Sequence, residues 1–291
     1  MGMIINPYRF SSSVLLLDET NLGSAHAAYS VARKLRSAYV GSCIRVRRSS
    51  DQAEQDIGFS ANELDQSALT TFVGANNGFV VTLYDQSGNG YNATMSTAAN
   101  QMTIVSSGSV VTENGKPAMT VNDNTDYYQY SGAAISSSDV ISVVSVSKTG
   151  AADGTNYLKT ICRVGAVSNN AAVFLSYGSY NQSGDVRKPT LGQIGQTANN
   201  AESTSANTNQ VLMAGFVNGT GMSFYEDDAS EVNGTNSVSL AITNGGLMVG
   251  AYNISFPATD GNIQDVVVWI ADLEAYVETI KSNVNGFYSI Y

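Results

Sequence analysis

Asp85, Gln86 and Asn89 lie close together in the stretch Leu83-Tyr84-Asp85-Gln86-Ser87-Gly88-Asn89-Gly90-Tyr91-Asn92-Ala93. A carboxylate and two amides on a rigid turn suit sugar hydroxyls or a calcium ion, which makes these three the candidate ligand-binding residues. A structural role competes and carries more weight: Asp85 can accept hydrogen bonds from the Ser87-Gly88 backbone and fix the turn itself. His26 is the only histidine, which nearly excludes His-based triads and His-rich metal sites. Glu226-Asp227-Asp228 resembles a cation site only superficially and reads as a solvated hairpin tip. No catalytic residue, metal or cofactor is expected. Tyrosine, a common sugar-stacking platform, occurs 16 times. Tyr127-Tyr128-Gln129-Tyr130 alternates as a strand does, and core or cross-strand packing accounts for most of these rings. Trp269, behind Val266, Val267 and Val268, reads as core.

Such groups need a frame. Phe79 to Tyr84 is a β-type run that enters the Ser87-Gly88-Asn89-Gly90 turn, whose residues tolerate positive φ. Upstream, Ala28, Val31, Ala32, Leu35 and Tyr39 recur at helical spacing and predict a first helix over 25–39, ended by Gly41. Ile44 and Val46 alternate with Arg45 and Arg47 as in a half-buried strand. Ser60-Ala61-Asn62-Glu63 has the form of a capping box and predicts a second helix through Val73, closed by Gly74. After Phe79 the chain reads as short strands separated by Gly, Asn and Ser turns, the pattern of an antiparallel sandwich. Residues 178–210, rich in Asn, Ser, Thr and Gln, read as a long loop. Asp272 caps a last helix with Leu273, Tyr276, Val277, Ile280 and Val284 on one face. The fold class expected is therefore all-β, an antiparallel sandwich with two N-terminal helices and one C-terminal helix. Residues 1–20, with Ile4, Ile5, Phe10 and Val14 to Leu17, form an apolar arm expected to dock on a neighbouring subunit, and 21–291 form one domain.

The chain has 291 residues, 43% hydrophobic and 13% charged, with net charge −10. An acidic chain lacks the dense Lys and Arg that nucleic acid demands, and no apolar run is long enough to span a membrane. Arg33, Lys34, Arg36, Arg45, Arg47 and Arg48 concentrate positive charge, but Asp51, Glu54, Asp56, Glu63 and Asp65 follow and are expected to neutralise it. No N-terminal apolar signal region is visible. Cys43 and Cys162 are accordingly expected reduced and buried, and the Asn-x-Ser/Thr sequons are put down to composition.

The Tyr84-Asp85-Gln86-Ser87-Gly88-Asn89-Gly90 block resembles the Tyr-Asp-Gln-Ser-Gly-x-Gly-Asn signature of the catalytic domain of fungal α-L-arabinofuranosidase B. A second block supports it: Ala28-Tyr29-Ser30, Arg33 to Arg36, Gly41, Ile44 to Asp51 and Asp56-Ile57. The resemblance implies a jelly roll of concanavalin A-like lectin/glucanase architecture. In order and spacing the two blocks also resemble bacteriophage virion proteins carrying that lectin-like domain, and Asp260 to Trp269 resembles the closing strand of laminin-G-like domains. The resemblance covers residues 25–93; beyond Ala93 it rests on strand pattern. In the arabinofuranosidase family a Glu opening a central strand is the nucleophile, and an Asp past a Leu-Gly-x-Gly-Gly strand end is the acid/base. Loosely aligned, these fall on Asp139 and on Asn253 or Ile254, and neither Asn nor Ile donates a catalytic proton. The adjacent cysteine pair of the family is also absent. The expectation is thus a non-catalytic virion structural or adhesion module, a capsid decoration or tail protein, without arabinofuranosidase activity. Its expected partners are other virion proteins, a second copy of itself and a host-surface glycan; the alternative is a glycoside hydrolase of arabinofuranosidase type.

Overall fold

A computed structural model describes residues 14–121, 125–150, 159–165, 172–178, 187–193, 200–235, 242–253, 256–257 and 261–291. The first part of the chain carries β1 (Ala27–Ser30), β2 (Ile44–Arg48), β3 (Glu54–Ile57), the small hairpin β4 (Phe59–Ser60) and β5 (Glu63–Leu64), helix α1 (Gln66–Val73) and β6 (Gly78–Leu83). Six short strands follow: β7 (Ala93–Thr94), β8 (Thr103–Ser106), β9 (Ser109–Val110), β10 (Thr112–Glu113), β11 (Lys116–Pro117) and β12 (Met119–Val121). The middle is built of β13 (Tyr128–Ser138), β14 (Val140–Thr149), β15 (Lys159–Gly165), β16 (Ala172–Tyr177), β17 (Pro189–Gln193), β18 (Asn200–Glu202) and β19 (Gln210–Asn218). The chain finishes with β20 (Gly221–Glu226), β21 (Val232–Thr235), β22 (Ile242–Val249), β23 (Ala251–Asn253), β24 (Phe256–Pro257), β25 (Gly261–Trp269) and α2 (Val277–Tyr288).

These strands make two antiparallel layers. In the first sheet β1 and β12 share one edge of β25, and the order continues β25, β14, β19, β20, β21. The second sheet runs β3, β2, β6, β7, β13, β22, β15, β16, β17, β18. The layers join along one side through β6, β8 and β12. Near the other side Ser203 and Asn207, just past β18, donate to the Glu226 carboxylate that ends β20. The result is a nearly closed, jelly-roll-like sandwich. Alternation sorts the side chains: Val143, Met213, Val266 and Val268 face Tyr128, Val164, Leu175 and Val249 across the core. Residues of opposite parity on the first sheet, among them Val146, Leu212, Phe216 and Trp269, form a second apolar layer under Ile280, Val284 and Tyr288 of α2.

The helical complement differs from expectation, and the fold class is corrected there. Residues 25–39 form no helix. Ala27, Tyr29 and Val31 enter the central core while Ala28, Ala32 and Leu35 enter the outer layer. A strand buried on both faces gives a near-continuous apolar run, and such a run satisfies helical spacing too. The second expected helix starts later, at Gln66, with Asp65 as its cap accepting from the Ala68 N–H at 2.9 Å. Ser60 to Glu63 instead make a hairpin whose central residues, Ala61 and Asn62, sit at φ 48° and 68°. Two positive φ values are what a two-residue hairpin turn requires. The stretch 178–210 is cut by β17 and β18 rather than being all loop. Of the apolar arm, residues 1–13 lie outside the described residues; Leu16, in the short 3-10 turn Leu16–Asp18, is buried in the outer layer.

Candidate active site

The Asp85 block is a staple. Its carboxylate, 3% exposed, accepts from the backbone N–H groups of Ala28, Ser87 and Tyr91 at 2.9, 2.9 and 3.0 Å and from the Ser87 hydroxyl at 2.7 Å. Gln86 is wholly buried: its Oε1 accepts from the Leu35 N–H at 2.7 Å and its Nε2 donates to the Arg33 carbonyl at 3.2 Å. Asn89 donates to the Ala25 and His26 carbonyls, and Asn92 accepts from the Asp85 N–H. Gly88 and Gly90, at φ 96° and 77°, let the turn fold back tightly enough for this. The three candidate ligand residues thus meet the chain's own backbone, and what they do is seat β1 and the segment after it. His26 opens that segment, its ring 5.0 Å from the Tyr91 ring.

The remaining candidates are dispersed. Asp139 is an exposed turn residue between β13 and β14. Asn253 lies just beyond β22, and β22 pairs with β13 from Tyr128↔Val249 to Ser138↔Ile242. Asp139 and Asn253 therefore sit at opposite ends of the β13–β22 pair, whose register runs from Ile242 to Val249 around a bulge in β13, more than about 20 Å apart at roughly 3.3 Å per residue. Retaining glycosidases hold their carboxyl groups about 5 to 5.5 Å apart, so the loose alignment does not mark a catalytic pair. Ile254 lies outside the described residues. Glu226 is taken up by Ser203 and Asn207, Asp227 by the Leu212 N–H, and Asp228 points outward. Burial holds the Asp227 carboxyl up at about 6. Among the described residues no cluster of His, Cys, Asp and Glu could hold a metal ion. Both cysteines are free and buried, and burial pushes their thiols well above the usual range.

A different surface gathers polar chemistry: the face of the second sheet turned away from the core. Strand registers place Asp56, Arg45, Thr82, Thr94, Gln129, Met248, Arg163, Phe174, Gly192 and Asn200 in a single row across it. At one end Arg45 clamps Asp56 at 2.7 and 3.0 Å while the Tyr84 hydroxyl donates to the same carboxylate, and these bonds hold Asp56 below the usual carboxylate range. Thr94 and Gln129 are exposed mid-row. Past them the row is buried: Met248, Arg163 and Phe174 are 3, 6 and 1% exposed. The Phe174 ring lies over Gly192, where any side chain would collide with it. One step along the strands a second row joins Thr160, Ser176, Thr190 and Glu202. Glu202 is half-buried and stands 3.3 Å from the Lys188 ammonium. Thr160, Ser176 and Thr190 are buried, and the Ser176 and Thr190 hydroxyls donate to the Gly178 and Lys188 carbonyls; the groups the face leaves open, the Thr94 hydroxyl, the Gln129 amide and the partly exposed Glu202 carboxylate, are of the kind that suits a polyhydroxylated ligand. No sequence motif announces it, because each strand contributes one or two residues.

A jelly-roll-like sandwich with a polar outer face defines the class. Residues 20–237 match the family model described as alpha-L-arabinofuranosidase B, catalytic, and the chain belongs to that family. Among solved structures, a GH54 α-L-arabinofuranosidase soaked with a cyclic sulfate inhibitor superposes with a TM-score of 0.69 at 18% identity, covering 92% of this chain and 63% of that one. An arabinofuranosidase complexed with arabinofuranosyl-α-1,2-xylobiose gives 0.68 with the same identity and coverage. At this identity the likeness is one of fold, and the chain spans less than two thirds of those proteins' length. No curated protein sequence matches. The family match corrects the expected non-catalytic virion module: the model is that of a catalytic domain, and it extends far beyond the 25–93 blocks on which the virion resemblance rested.

Proposed function

We propose that the chain is a glycoside hydrolase of arabinofuranosidase type, working on the outer face of the second sheet. The observation that carries this reading is the family match over residues 20–237. The cross-strand rows support it by supplying sugar-binding groups on one face. Glu202 is the carboxylate at the enclosed end of that face; Asp56, the carboxylate opening the row, is at the far edge, about 40 Å away at roughly 4.8 Å per strand. Glu202 is the candidate for one of the two carboxyl groups that such a hydrolase sets about 5 to 5.5 Å apart. The test is release of nitrophenol from 4-nitrophenyl α-L-arabinofuranoside. The expected result is turnover that falls about a thousandfold in Glu202→Gln with the fold intact. Turnover undiminished in that variant overturns the assignment of Glu202, and no turnover by the unaltered chain overturns the hydrolase reading.

A further inference from the structure

On the far side of the sandwich a pocket of about 400 Å³ opens between the Val14–Leu15 segment, the β4–β5 turn and α2. Its volume is in the range of small-molecule sites, roughly 300–1,000 Å³. Arg33, Lys34, Asn62, Glu63, Asn283 and Phe287 are the residues of its lining that matter here. Arg33 is a fixed floor: its guanidinium is tied to Asp265 at 3.0 Å and to the Asn283 amide oxygen at 3.2 Å, and lies 5.0 Å from the centre of the Phe287 ring. Glu63 is paired through one oxygen with Lys116 at 2.9 Å. Those charges cancel two by two. Lys34, a half-buried residue, is different: its backbone N–H is fixed on the Asn62 carbonyl at 2.7 Å, but its ammonium has neither ion pair nor hydrogen bond among the described residues. In a chain of net charge −10 this is a site of uncompensated positive charge facing a cavity.

We propose that this pocket binds a sugar acid, a small monoanion bearing hydroxyl groups, with its carboxylate on Lys34. One unbalanced cation calls for one negative charge. A phosphate dianion would bring its second charge against Glu63, whereas hydroxyls can donate to the free Glu63 oxygen and to the Asn62 amide. Uronic acids have this combination. The site lies against the first sheet, across the core from the face assigned to hydrolysis, and does not rest on that assignment.

Calorimetric titration of the full chain with D-glucuronate, and with D-glucose as the ring without the carboxylate, tests it. Glucuronate binds at least about tenfold more tightly than glucose, the effect of one charge-assisted hydrogen bond, and weakens as salt is added. Lys34→Met, which keeps the aliphatic stem, removes that advantage with an unchanged melting temperature, and Lys34→Arg retains it. Equal affinity for the two sugars, no heat with either, or a glucuronate preference that survives Lys34→Met overturns the proposal. If Lys34→Met does not fold, loss of the preference in Lys34→Arg overturns it instead.

Discussion

The outer faces of the two sheets share a backbone geometry and differ in chemistry. On the first sheet Val146, Leu212, Phe216 and Trp269 point outward and are sealed by α2 and by Leu16, Leu22 and Leu35. On the second sheet the outward positions hold Arg45, Thr82, Thr94, Gln129 and Arg163. Burial of large apolar side chains contributes roughly 1.5–3 kcal/mol each, so the first face stabilises the fold. The second face keeps polar groups at positions where apolar ones would pack as well, and Arg163 and Ser176 are even buried there. The Ser176 hydroxyl is satisfied there by the Gly178 carbonyl, so its burial is compatible with a stable fold. One sandwich thus has a face for holding and, on the proposed function, a face for handling.

Substitutions can break or sharpen that contrast. Trp269→Ala, in the sealed layer, should cost about 4 kcal/mol of stability, read by denaturant unfolding, while hydrolysis per folded molecule stays the same. A loss of specific activity in that variant would show the faces to be coupled. Asp85→Ala should cost about 3 kcal/mol, because it leaves three backbone N–H groups without an acceptor. It acts on the staple that seats β1 between the two layers, so a stable Asp85→Ala with lost sugar binding would place Asp85 on the handling side. The smallest effect is a gain. Burial raises Asp227 from 3.8 to about 6, so its ionised form opposes folding. That penalty is absent below about pH 4, grows between the two values and is complete above about pH 6. Asp227→Asn, which keeps an acceptor for the Leu212 N–H and tolerates the φ of 51°, should add about 1 kcal/mol at pH 8 and nothing at pH 4. Melting temperatures at the two pH values read this directly.

The sequence carried the strand-rich frame and the last helix because those segments repeat at a period that admits one reading. Val277, Ile280 and Val284 bury a single stripe, and the strands that build the sandwich alternate. It misled at β1 and the segment after it, where residues from Ala27 to Leu35, Lys34 apart, are buried toward one layer or the other and periodicity loses its meaning, and at Ser60 to Glu63, where cap and hairpin share their residues. The candidate site was barely legible. Glu202 stands in a polar stretch that reads as loop, and its neighbours Thr160, Ser176 and Thr190 become neighbours only through strand registers. The conspicuous Asp85 block, by contrast, was legible because a turn compresses its partners into a few residues.

The first strand of the sandwich is also the one that waits longest. Ala27 to Ser30 pair with Val268 to Asp265, near the other end of the chain. At a synthesis rate of roughly 5–20 residues per second, β1 leaves the ribosome at least about ten seconds before its ladder partner exists. During that interval its edge would be a template for aggregation. The Asp85 staple is made much earlier: it offers Ala28 an acceptor for its N–H and, through the Gln86 N–H, a donor for its carbonyl. The turn thereby closes one edge of β1 while the opposite edge, carried by Ala27, Tyr29 and Val31, is left for β25.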